Sequence, residues 1–81
     1  MDEIQIAKKL IEIESISPED NGCFDVIKSE LKDLKFKFEQ IHYLNIKNLI
    51  IHRESHQKKT FCFLGHTDVV PTGPEELWSS P

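Results

Sequence analysis

Between Asp2 and Glu14 the apolar positions recur at helical spacing. Ile4, Ala7, Leu10 and Ile11 share one face, which Ile6 and Ile13 widen, while Gln5, Lys8, Lys9 and Glu12 take the other side. Asp2 and Glu3 fall in the first turn, where negative charge suits the positive end of the helix dipole. The pattern predicts a helix over 2–14. Ser15-Ile16-Ser17-Pro18 interrupts it and starts the next element. Ser17 is predicted to cap a second helix, with Pro18 its first residue, because a missing N–H costs nothing there. Glu19 and Asp20 again load the first turn with acid. The stripe Cys23, Ile27, Leu31 and Leu34, with Phe24 beside it, carries this helix to Leu34. Gly22 within it costs ~1 kcal/mol relative to alanine and marks a loose first turn.

After Leu34 the period changes. Phe36, Phe38, Ile41 and Tyr43 predict a strand with alternate residues inward, and Asn48-Leu49-Ile50-Ile51-His52 predicts a second. Arg53 to Lys59 reads as a polar turn. Thr60-Phe61-Cys62-Phe63-Leu64 is a continuous apolar run, which predicts a third strand buried on both faces. From Gly65 onward, Pro71, Gly73, Pro74 and Pro81 prevent regular structure. Two helices followed by about three strands make an α/β piece that ends in a loop at the C-terminal edge of a buried strand.

Composition narrows the function classes. The chain has 81 residues, enough for at most one domain. Its 38% hydrophobic and 30% charged content is that of a folded, soluble chain. The formal charge of −4, with acids and bases mixed along the chain, gives no broad positive surface for nucleic acid. No apolar run approaches the ~20 residues that span a bilayer, so no membrane association is expected. The start Met1-Asp2-Glu3 does not resemble a signal peptide, which makes the cytoplasm the expected location. Cys23 and Cys62 are too far apart for a Cys-x-x-Cys pair and are expected to be reduced and buried.

The chemistry concentrates in Gly65-His66-Thr67-Asp68-Val69-Val70-Pro71. A loop leaving the C-terminal end of a sheet strand is a common active-site position. A neutral imidazole is a good zinc ligand, and a carboxylate two residues on can orient it. A His-x-Asp triplet alone is weak, and spacing by itself favours a structural loop. The hydrophobic strand before it, Gly73 after it and Trp78 further on favour the metal-site reading.

Phe63-Leu64-Gly65-His66-Thr67-Asp68-Val69-Val70-Pro71-Thr72-Gly73 resembles the first metal-site motif of the M20 metallopeptidase and deacylase family. Ile16-Ser17-Pro18-Glu19-Asp20-Asn21-Gly22-Cys23 resembles the Ser-Pro-acid-acid-x-Gly-Cys segment of its succinyl-removing branch. Asn48-Leu49 and Leu77-Trp78-Ser79-Ser80-Pro81 resemble two further family stretches, so the likeness runs along essentially the whole chain. The resemblance implies a metal-dependent amide hydrolase acting on a small-molecule N-succinyl amino acid. It implies that His66 ligates a metal and that Asp68 is the catalytic aspartate supporting the ligand shell. It further implies two zinc ions per full-length subunit, with cobalt an alternative, and a homodimer. The family's bridging aspartate, base glutamate, remaining ligands and dimerisation domain would all follow Pro81. On this reading 1–81 is the N-terminal part of a zinc-hydrolase catalytic domain, inactive alone. Lys35, where a glycine often follows the second helix, and Ile50-Ile51, where a more aromatic pair is common, depart from the pattern.

Two other readings stay open. One is another M20 deacylase, of the acetylornithine deacetylase or aminoacylase type; the other is a non-catalytic truncated product. Several residues are better explained without chemistry. His52-Arg53-Glu54-Ser55-His56 places its glutamate one position off the zinc-protease helix motif, and in strand and turn context. His42 reads as a partly exposed strand residue, Lys58-Lys59 as part of a solvated turn, Cys62 as an inert packed thiol and Trp78 as a packing anchor.

Overall fold

The computed structural model describes residues 1–56 and 58–80. Gln57, within the predicted polar turn, and Pro81, the last residue of the Trp78 motif, lie outside the described residues.

Helix α1 spans Glu3–Ile11, shorter than the predicted 2–14. Asp2 is its cap rather than part of its first turn. The Asp2 carboxylate accepts from the Gln5 backbone N–H at 2.8 Å, and the Gln5 side-chain oxygen accepts from the Asp2 N–H at 3.0 Å. Two helix-end donors are thereby satisfied reciprocally. Ile6, Leu10 and Ile13 turn inward and are half-buried, whereas Ile4 and Ile11 are exposed.

Helix α2 spans Cys23–Leu31, so the predicted start at Ser17-Pro18 and end at Leu34 are both corrected. Ser17 does not cap a helix: its N–H donates to the Val69 carbonyl at 2.9 Å and its hydroxyl lies beside Asp68. The Ser17–Pro18 peptide bond is cis. Asp20 caps instead, its carboxylate accepting from the Gly22 and Phe24 N–H groups at 3.2 Å. The chain reverses through Asn21 (φ 51°) and Gly22 (φ 101°), residue types that tolerate the left-handed region. Beyond α2, Lys35 itself adopts a left-handed conformation (φ 62°), closing the exit where a glycine would be usual. The Arg53 guanidinium donates to the Leu34 carbonyl at 3.0 Å and lies 4.8 Å from the centre of the Phe36 ring.

Strands β1 (Lys37–Tyr43) and β2 (Ile46–His52) form an antiparallel hairpin, with Phe38 opposite Ile51, Gln40 opposite Leu49 and Tyr43 opposite Ile46. Phe38, Leu49 and Ile51 lie on one face and are half-buried. On that face the Lys28 ammonium of α2 donates to the Gln40 side-chain oxygen at 3.3 Å. Ile41 and Tyr43 have the opposite parity and point outward, so their predicted inward orientation is corrected.

The predicted third strand does not form. Residues 60–64 have no ladder partner among the described residues, and Phe61, Phe63 and Leu64 are largely exposed. A strand buried on both faces needs neighbours on each side, and the described residues supply none. The Phe61 and Phe63 rings meet on one side of the segment, with centroids 5.0 Å apart. Cys62 is exposed, which corrects the expected buried thiol. Cys23 is fully buried and, with Val26 and Ser15, forms the small core. The α/β order holds, with a two-stranded sheet in place of about three strands. The parallel pairing found among the described residues is a single bridge, Ile16 to Val69. Among the described residues no helix is long and apolar enough to cross a membrane.

Candidate functional site

The bridge between 16 and 69 holds the loop that carries His66 and Asp68. Val69 donates its N–H to the Ser15 carbonyl at 3.0 Å, and Ser17 returns a bond to the Val69 carbonyl at 2.9 Å. The Ser15 hydroxyl donates to the Thr67 carbonyl at 2.9 Å. Ser15 is only 2% exposed, so this bond is shielded from water. The segment joining α1 to α2 thus grips both backbone neighbours of Asp68.

Within the gripped loop, His66 and Asp68 face one another. His66 Nδ1 lies 3.1 Å from a carboxylate oxygen of Asp68 and 3.0 Å from the Asp68 carbonyl oxygen. Both neighbours are acceptors, so the neutral ring carries its proton on Nδ1. The Nε2 lone pair is then free, on a side chain that is 81% exposed. Asp68 is half-exposed, and its carboxyl titrates below its ordinary value. The Ser17 hydroxyl beside it is the main cause. Partial burial acts in the opposite direction, and the His66 hydrogen bond and charge add to the lowering.

The pair borders an open groove of about 840 Å³. Asp20 and Phe24 line it from the α2 side, Leu49 and Ile51 from β2, and Leu64 and Gly65 from the loop itself. One wall is therefore apolar, and the His66–Asp68 end is polar. Among the described residues no three His, Cys, Asp or Glu side chains come together as a metal cluster. The His66–Asp68 arrangement can donate one imidazole nitrogen, steadied from behind by a carboxylate, and nothing closer to a complete ligand set.

The sequence reading brought His66 and Asp68 together, and the geometry does so too. It missed Ser15 and Ser17 as partners of that loop. A polar residue embedded between Ile13 and Ile16 is the one signal that could have drawn attention to Ser15. The other candidates fall elsewhere. His42 is exposed on β1 with its ring against the Gln40 amide at 3.3 Å. His52 ends β2 and His56 lies in irregular chain, so no helix carries the pair. Trp78 is 58% exposed and anchors locally, its indole N–H donating to the Thr72 carbonyl at 3.1 Å.

No protein-family model matches the chain. Curated relatives do. The chain is 47% identical over 78 residues to a protein of Hydrogenovibrio crunogenus named succinyl-diaminopimelate desuccinylase, covering 96% of this chain and 20% of that protein. A protein of the same name from Methylococcus capsulatus is 45% identical over 80 residues, covering 99% of this chain and 21% of the relative. The like-named protein of Pseudoalteromonas translucida is 42% identical over 80 residues, with the same coverage. The chain spans about a fifth of the length of the curated relatives it matches.

Proposed function

We propose that the chain is part of a succinyl-diaminopimelate desuccinylase, like the relatives it matches, and that it supplies the first metal-binding loop of such an enzyme. The reaction is hydrolysis of N-succinyl-LL-2,6-diaminopimelate to succinate and LL-2,6-diaminopimelate, on the route to lysine. In this reading His66 is a metal ligand through Nε2, and Asp68 is the catalytic carboxylate that fixes the ring.

The observation that supports it most is the placement of His66 Nδ1 at 3.0 and 3.1 Å from two Asp68 oxygens, both acceptors, which favours a proton on that nitrogen. That fixes the tautomer a metal needs and leaves the other nitrogen facing solvent. The donor types fit zinc or cobalt as one part of a ligand set. Two ions per full-length subunit, homodimerisation and a cytoplasmic location belong to the same proposal. A bound metal would supply Lewis-acid polarisation of the scissile amide carbonyl. The residues of this chain do the rest of the local work. Asp68 orients the neutral imidazole and makes it a stronger donor, the 15–17 segment keeps the loop from drifting, and the groove offers an apolar wall for a substrate's methylene chain.

The test is a chimera in which this chain replaces the matching fifth of the Hydrogenovibrio crunogenus protein. It is expected to release succinate from N-succinyl-LL-2,6-diaminopimelate in preference to acetate from N-acetylornithine. Preference for the acetyl substrate would favour an acetylornithine-type deacylase, and a folded, metal-loaded chimera idle on both would defeat the proposal.

A further inference from the structure

The loop that presents His66 is held by a residue with no chemistry of its own. The Ser15 hydroxyl reaches the Thr67 carbonyl across 52 positions of sequence at 2.9 Å. Its own carbonyl accepts the Val69 N–H at 3.0 Å. The same residue therefore binds both backbone neighbours of Asp68, and it does so at 2% exposure, where water cannot replace either bond. Ser17, two residues on, takes the Val69 carbonyl with its N–H. The result fixes the backbone from 67 to 69, and that in turn fixes where the Asp68 carboxylate and carbonyl meet His66 Nδ1.

We propose that Ser15 is a positioning residue for the His66–Asp68 pair: its buried hydroxyl and carbonyl clamp Thr67 and Val69 so that the imidazole keeps its Nδ1–H tautomer. This rests on the reading of His66 as a ligand, for which that tautomer matters. Without the hydroxyl, the Thr67 carbonyl loses its partner, the loop turns, and Nδ1 loses one or both of its oxygens. The ring is then free to protonate at either nitrogen and to point elsewhere.

The test uses the metal-free chimera, in which this chain has the rest of the protein to pack against, with ¹⁵N-labelled histidine, comparing wild type with Ser15→Ala and Ser15→Thr; His66→Gln identifies the His66 signals. Two readouts are taken: imidazole ¹⁵N shifts, which report the tautomer, and amide exchange by mass spectrometry over 65–70 and over 23–31. In the wild type the His66 signals are expected to be those of an Nδ1–H ring. Ser15→Ala is expected to shift them toward the tautomer average and to speed exchange over 65–70 at least ~10-fold. Exchange over 23–31 is expected to stay unchanged, and Ser15→Thr, which keeps the hydroxyl, to restore the wild-type pattern. The proposal is overturned if Ser15→Ala leaves the His66 signals in place. It is equally overturned if exchange rises as much over 23–31 as over 65–70, or if threonine restores nothing. Because no metal or substrate is present, this outcome is independent of whether the chimera hydrolyses anything.

Discussion

Unfolding this chain by itself should expose far less new surface than its mass would suggest. A compact protein of 9.4 kDa is expected to expose about 5,000 Å² and to have a radius of gyration of about 12 Å. This chain exposes 7643 Å² with a radius of gyration of 15.5 Å. The extended form of the same chain exposes about 13,600 Å². Unfolding therefore uncovers about 6,000 Å² instead of about 8,600 Å², some 0.7 of the normal amount. Heat-capacity change scales with exposed area, so about 1.1 kcal/mol/K for an 81-residue domain falls to about 0.75. The urea slope falls in the same proportion. The excess surface is also strongly apolar, since Phe61, Phe63, Leu64 and Leu77 are each at least 80% exposed. It is as large as one side of a large obligate interface, so the chain should self-associate as its concentration rises. The assay is light scattering across a dilution series, with calorimetry and urea unfolding at the dilute end. A monomer at all concentrations, melting cooperatively with the full heat-capacity change, would refute the reasoning.

Three smaller perturbations probe particular elements. Leu44 sits in the hairpin loop at φ 55° and is 85% exposed, so Leu44→Asn should remove left-handed strain of ~1 kcal/mol without losing packing; urea unfolding of the two chains measures it. Cys62 should react at once with a thiol reagent while fully buried Cys23 reacts only on unfolding, and equal rates would contradict the placement of the 60–64 segment. The lowered titration of Asp68 gives a signed pH dependence. Its stabilising effect on the loop is complete above the unfolded carboxylate value of ~3.9 and disappears as pH falls through the lower folded value. Carboxyl ¹³C shifts of Asp68 should follow that midpoint, and Ser17→Ala should move it upward.

What the sequence made legible was local. The period of α1, its acidic start and the alternation through Phe36 and Phe38 all depend on neighbours within a few residues. The misreadings arose where a distant partner outweighed a local preference. Ser17-Pro18 has good chemistry for a helix start, yet Ser17 pairs with Val69, and Asp20 takes over the cap. Residues 60–64 have strand composition, but composition cannot provide a neighbouring strand. The candidate site divides the same way. His66 and Asp68 are two residues apart and could be paired by inspection, and the similarity to named desuccinylases covers 96–99% of this chain but only about a fifth of those proteins. Ser15 lies 52 positions from Thr67 in sequence, and only the three-dimensional arrangement brings them together.

The central claim is that His66 binds metal for an amide hydrolysis. The direct measurement is cobalt absorption together with succinate release in the chimera, for wild type and for His66→Ala at matched folding. The account predicts that the substitution changes the cobalt spectrum and lowers kcat/KM by more than about a hundredfold, beyond what loss of a supporting contact produces. An unchanged spectrum with activity within a few-fold of wild type would contradict it.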